Sequence, residues 1–211
     1  MRSQIATIGI DFDNTIVSYD ELMYRIARER GLIDARTEPS KRAIRDAVRR
    51  LNDGEVEWQK LQGLVYGPLM RDARTTDGAD EFIRWCREAG MEVFIISHKT
   101  EYAGYDETAT NLRTAALDWM AAHRFFDPAG LALSRSAVYF ESTRLDKIAR
   151  IAATGCSYFI DDLEEVFLEP SFPSNVQKIL YSPGAQSAAN GSAIVMHSWR
   201  ALRDYLLDRC A

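Results

Sequence analysis

Short apolar runs rich in β-branched residues recur along the chain at positions 5–10, 92–96, 137–140, 157–160, 176–181 and 193–196. Between them the apolar positions move to a spacing of three and four. Continuous apolar runs of this length suit buried strands, and the wider spacing suits amphipathic helices. The helical period is clearest over 78–89 (Phe82, Trp85, Cys86), 108–122 (Leu112, Ala115, Ala116, Trp119) and 145–153 (Ile148, Ile151), and from Ser198 onward (Trp199, Leu202, Leu206). Strands alternating with helices predict an α/β fold, a Rossmann-like parallel sheet with helices on both faces. The helical stripes read as packing faces.

The stretch between the first and second strands is too long for one crossover helix. Within it Leu22 and Ile26, then Ile44, Val48 and Leu51, then Leu61 and Val65 keep helical spacing, and Pro39 and Asp53-Gly54 punctuate them. The expected organisation is an α/β core over 1–17 and 77–211, with a small helical cap inserted over 18–76. Ligands of open α/β sheets bind beyond the carboxyl ends of the strands, so an insertion at this point is expected to roof that region.

A chain of 211 residues suits one such core with an appendage. The formal net charge of −5 speaks against a nucleic-acid partner held by a basic surface. Cys86, Cys156 and Cys210 are widely spaced and form no CxxC pair, which predicts reduced thiols, neither disulfides nor zinc. The N-terminal apolar run stops at Asp11, and no segment approaches the roughly 20 apolar residues of a membrane span. These features predict a soluble, cytoplasmic protein with no membrane partner; the expected assembly, which these features do not fix, is a monomer or homodimer.

Chemistry enters at the strand ends. Asp11-Phe12-Asp13-Asn14-Thr15 places two carboxylates, two residues apart, in the loop after the first strand. Further along stand Ser97 after Val93-Phe94-Ile95-Ile96, Lys147 in Leu145-Asp146-Lys147-Ile148, and Asp161-Asp162 after Phe159-Ile160. Singly, each has a plainer explanation. Asp-x-Asp is common turn chemistry, Ser97 could cap a helix, Asp161-Asp162 suits the start of the helix expected at 163–168, and Lys147 could be a solvated charge with Arg144 as its rival.

Together, in this order and each at a strand end or helix start, the four motifs resemble those of the haloacid dehalogenase superfamily of phosphotransferases. That resemblance implies Asp11 as a nucleophile forming an aspartyl-phosphate and Asp13 as general acid and base. It implies Mg2+ held by Asp11, the backbone carbonyl of Asp13, Asp161 and Asp162. Ser97 would bond a phosphoryl oxygen, and Lys147 would hold Asp11 and offset charge on the transferring group. Asn14 stands where many members carry glycine, and asparagine also tolerates such turns. Thr15 is expected to tie the loop down. Dehalogenases of the superfamily do not use the second aspartate, so Asp13 points to phosphoryl chemistry. The expected activity is a Mg2+-dependent phosphatase; a phosphomutase of the same superfamily and a non-catalytic binding module are the alternatives.

Substrate contacts are expected from Asn14, Ser97, His98, Lys99 and Lys147, with Tyr102 and Tyr105 further along the loop after the second strand. In the cap, Arg42, Arg45 and Arg49 share a helical face, and Tyr24, Arg28, Trp58 and Tyr66 are further candidates. A helical cap of this kind, by the same resemblance, goes with a small phosphorylated metabolite such as a sugar phosphate or nucleotide. His123 and His197 read as structural.

Overall fold

A strand buried at every position must have both of its faces covered, and in the computed structural model, which describes residues 6–105, 108–184 and 193–210, the central strand is such a case. In chain order the elements are β1 (Thr7–Ile10), β2 (Val17–Ser18), α1 (Asp20–Glu29), α2 (Lys41–Val48), α3 (Gly54–Tyr66), β3 (Arg74–Thr75), α4 (Ala79–Glu88) and β4 (Glu92–His98). They continue with α5 (Leu112–Ala122), β5 (Val138–Glu141), α6 (Arg144–Ala153), β6 (Tyr158–Asp161), α7 (Glu164–Phe167), β7 (Gln177–Tyr181), β8 (Ile194–Met196) and α8 (Trp199–Cys210). Two 3-10 turns lie at Met70–Asp72 and Arg135–Ala137.

Six strands form one sheet in the order β5-β4-β1-β6-β7-β8, with parallel pairing throughout. All four residues of β1 are buried, and because alternate side chains leave a strand on opposite faces, both faces are covered. The expected Rossmann-like α/β sheet is therefore present. Its strands fall within a few residues of the apolar runs, although residue 5 of the first run lies outside the described residues. From β1 the chain visits β4 on one side and β6 on the other, so the strand order reverses at β1. That reversal is where ligands of open sheets bind.

Side-chain caps set the starts of two helices that bear on the pattern. The apolar stripe predicts a helix from 108, but α5 begins at Leu112 because the side chain of Asn111 accepts from the backbone N–H groups of Arg113 and Thr114. Thr143 caps α6 in the same way, accepting from Asp146 N at 3.1 Å. The three helices expected in the insertion are α1, α2 and α3.

Two compact units divide the chain. One contains residues 1–17, 75–99 and 124–211 and includes the six-stranded sheet; the other contains 18–74 and 100–123. This division differs from the expected 18–76 insertion by drawing α5 out of the core and into the second unit. In that unit α5 packs on α3 and on the Met70–Asp72 turn. The buried indole of Trp119 donates to Ala73 O at 2.9 Å. Trp58, Leu61 and Val65 are buried in the same unit. Among the described residues no helix is long and apolar enough to cross a membrane.

Candidate active site

In-register parallel strands carry adjacent side chains on the same face. Ile10 pairs with Ile160, so one step further along each strand sets Asp11 beside Asp161. The backbone confirms the step, because Asp11 N donates to Ile160 O at 2.9 Å and extends the ladder past β1. On the other side of β1, Ser97 lies one residue before the end of β4, and its hydroxyl donates to Asp11 Oδ1 at 2.9 Å. Thr15 Oγ1 donates to Asp11 Oδ2 at 3.4 Å, tying the loop back on itself as expected.

Lys147 arrives from the first turn of α6. It shares that helix's buried face with Ile148 and Ile151, and the Thr143 cap fixes where the helix starts. Its ammonium donates to Asp11 Oδ1 at 2.6 Å and to Asp161 Oδ2 at 2.7 Å. Arg144, the rival cation, instead pairs with Glu169 at 3.0 Å with its side chain 43% exposed. The geometry therefore brings Lys147, not Arg144, to the aspartates.

Asp11, Ser97, Lys147 and Asp161 are all buried. Ligand oxygens of Asp11, Asp161 and Asp162 lie within 4.8 Å of one another. Burial works against the charged form of Lys147, yet Asp11 and Asp161 outweigh it and hold its ammonium above the usual lysine range. Burial pushes Asp161 up to about 6; Lys147 opposes this, and the charge of Asp11 adds to it. One ammonium between buried carboxylates leaves the cluster short of positive charge. Hard oxygen donors in close array, with a surplus of negative charge, fit a small divalent cation such as Mg2+.

Period two sorts the residues that follow. His98 points away from Ser97: its side chain is exposed and Nε2 lies 3.0 Å from Ser142 O. Lys99 returns to the side of Ser97 and is buried, with Nζ 2.9 Å from Asp13 Oδ1 and 2.8 Å from Oδ2. The sequence pattern points to Lys99 as a substrate contact, and its pairing with Asp13 is a contact that pattern does not predict. The signal that could have shown it is the shared two-residue spacing of Ser97 and Lys99 with Asp11 and Asp13. Asn14 adopts φ 61°, the left-handed turn its side chain tolerates.

The remaining candidates scatter. Trp58 is buried among the apolar residues of the second unit. Tyr66 packs edge-on against Tyr19 at 4.6 Å, and Arg28 bonds Tyr24 Oη at 3.4 Å. Arg45 and Arg49 pair with Asp46 and Glu55. Tyr102 and Tyr105 are exposed. His123 stacks on Trp119 at 4.0 Å, and His197 Nδ1 lies 2.8 Å from Ser182 O. Cys86 and Cys156 are buried free thiols.

No protein-family model and no curated protein matches the sequence. Solved structures do match the fold. A HAD family hydrolase from Deinococcus radiodurans R1, with bound phosphate and sodium, aligns with a TM-score of 0.56 at 14% identity, over 98% of this chain and 96% of that one. A predicted phosphatase from Clostridium acetobutylicum aligns at 0.59 and 11% identity, over 97% and 100%. A dehalogenase with an intermediate complex aligns at 0.57 and 12% identity, over 97% and 98%. At such identities the likeness is one of fold.

Proposed function

From a chain with the fold of haloacid dehalogenase-type hydrolases, we propose a Mg2+-dependent phosphatase that hydrolyses a small phosphate monoester through an aspartyl-phosphate on Asp11. The observation that carries this reading is the buried cluster of Asp11, Ser97, Lys147 and Asp161, with a second aspartate, Asp13, two residues beyond the first. Both phosphatases and dehalogenases share the fold, so the fold alone does not choose between them. The acidic trio of Asp11, Asp161 and Asp162 favours phosphoryl chemistry, because attack on carbon needs no cation site.

Asp11, Asp161 and Asp162, with the backbone carbonyl of Asp13, would hold Mg2+, which when bound offsets the charge of the phosphate dianion. A carboxylate oxygen of Asp11 attacks phosphorus as the bond to the leaving oxygen breaks. Asp13 gives that oxygen a proton. Asp13, now a carboxylate, takes a proton from water as the water oxygen attacks phosphorus. The bond to Asp11 then breaks and inorganic phosphate is released. Ser97 and Lys147 keep Asp11 in place, and Lys147 offsets charge on the equatorial oxygens. The substrate is a small phosphorylated metabolite, and the protein acts in the cytoplasm as a monomer or homodimer.

The test is phosphate release from a panel of phosphorylated metabolites with Mg2+ and with chelator. Activity should require the metal. Asp11→Asn should reduce turnover to background and abolish the acid-stable phosphoenzyme trapped on quenching, with its circular dichroism unchanged. Wild-type turnover by Asp11→Asn would sink the mechanism.

A further inference from the structure

Lys99 and Asp13 form a charged pair, separate from that of Lys147, within the unit that holds the sheet. Both Asp13 oxygens accept from one ammonium, at 2.9 and 2.8 Å. The Lys99 side chain is 3% exposed and that of Asp13 21%. We propose that Lys99 is a positioning residue for Asp13, setting the direction in which Asp13 presents its carboxyl group to the leaving oxygen. The proposal rests on the phosphatase reading, because it takes Asp13 to be the proton carrier.

Three observations support it. First, a carboxylate turns freely about its last torsion. Bonds to a single nitrogen remove that freedom: in the carboxylate both oxygens accept, and in the protonated acid the oxygen without the proton still accepts while the other faces the leaving oxygen. Second, the lysine is anchored along its length. Its backbone N–H donates to Glu141 O at 2.8 Å, carrying the β4–β5 ladder one residue past the strand, and Nζ sits 5.6 Å from the centroid of the buried Phe12 ring. Third, burying an ammonium is unfavourable, and replacing a buried ion pair by apolar groups is often neutral or stabilising. Stability is thus a weak reason for this pair, whereas orientation needs exactly such a fixed donor. The two lysines divide the site between them: Lys147 holds the nucleophile and Lys99 the proton carrier. An exposed Lys99 reaching for substrate would not place its ammonium on Asp13.

Leaving-group dependence distinguishes positioning from general support. The parameter kcat/KM covers the steps through departure of the leaving group. Proton donation matters strongly when that oxygen is basic, as in phenyl phosphate, and little in 4-nitrophenyl phosphate. Both probes, with Mg2+, should be measured for wild type, Lys99→Met, Lys99→Arg, Asp13→Asn and the double variant Lys99→Met/Asp13→Asn. Lys99→Met should lose kcat/KM on the order of 10²-fold on phenyl phosphate and less than about tenfold on 4-nitrophenyl phosphate. The double variant should be no more leaving-group-sensitive than Asp13→Asn alone. If Lys99→Met does not fold, Lys99→Arg, which keeps the charge but changes its geometry, should show the same skew at smaller size. Equal losses on both probes, or a rise in KM with kcat unchanged, would overturn the proposal. A wild-type protein that hydrolyses neither probe nor any metabolite on the panel fails the phosphatase reading itself, and this inference with it.

Discussion

Lys147 shows how much one side chain can be asked to do. Its nitrogen is shared between Asp11 at 2.6 Å and Asp161 at 2.7 Å, and all three groups are buried. Removing one partner of a buried pair leaves charge uncompensated, so Lys147→Met should lower the free energy of unfolding in urea by about 3–5 kcal/mol at neutral pH in chelator. A loss under 1 kcal/mol would mean the aspartates are compensated by something else. Arginine would not substitute cleanly, because a planar fork cannot occupy the point between two carboxylates that a compact ammonium fills. At this scale the sequence was informative where a motif had both type and place: Asp11, Ser97, Lys147, Asp161 and Asp162 were legible as one constellation, and the structure brings their side chains together. Lys99 and His98 were adjacent polar residues of equal promise. Only the pleat separates them, sending one into the site and the other to Ser142.

Elements show the same division between a face and its partner. Period two and period 3.6 mark which side of a segment is buried, because an apolar side chain leaves water whichever neighbour receives it. The pattern does not name the neighbour. Leu112, Ala116 and Trp119 were legible as a buried face of α5, yet their home is the unit with α3 and not the sheet. Starts and stops were partly legible: Asn111 and Thr143 are cap residues by type, and they move the starts of α5 and α6 relative to the apolar stripes. Inside β1, Gly9 answers a demand of packing. A Cβ there would lie 2.5 Å from the Phe159 ring and 2.7 Å from the Cys156 sulfur. Gly9→Ala should therefore destabilise by about 1–3 kcal/mol in urea denaturation, through overpacking at the centre of the sheet. An unchanged midpoint would show that β6 can move aside.

Over the whole molecule, the reversal of strand order at β1 gathers residues from four separate stretches of chain into one charged cluster. Two bulk measurements report on it. Mg2+ should raise the midpoint of thermal unfolding relative to chelator, by about 2.7 kcal/mol of stability at a hundredfold excess over Kd, and Asp161→Asn should remove most of that gain. No shift with wild type would count against the proposed cation site. In chelator, Asp161 titrates near 6 in the folded state, above its ordinary 3.8, because burial penalises its charge. Between those values the folded protein holds a proton that the unfolded chain has released. The stability from this group is therefore present below about pH 4 and lost as pH rises through about 6. Wild-type stability minus that of Asp161→Asn, measured by urea denaturation across this range, should fall with rising pH; a flat difference would refute the shift. The sequence by itself determined the alternation of strands and helices, the buried faces and the residues of the acidic cluster, since these follow from periodicity and from motifs confined to a few neighbouring positions. The tertiary structure decided the company each face keeps: α5 with the second compact unit, Lys147 over Arg144, and Lys99 with Asp13. Those choices depend on distances between residues far apart in the chain, which close packing sets and local pattern does not encode.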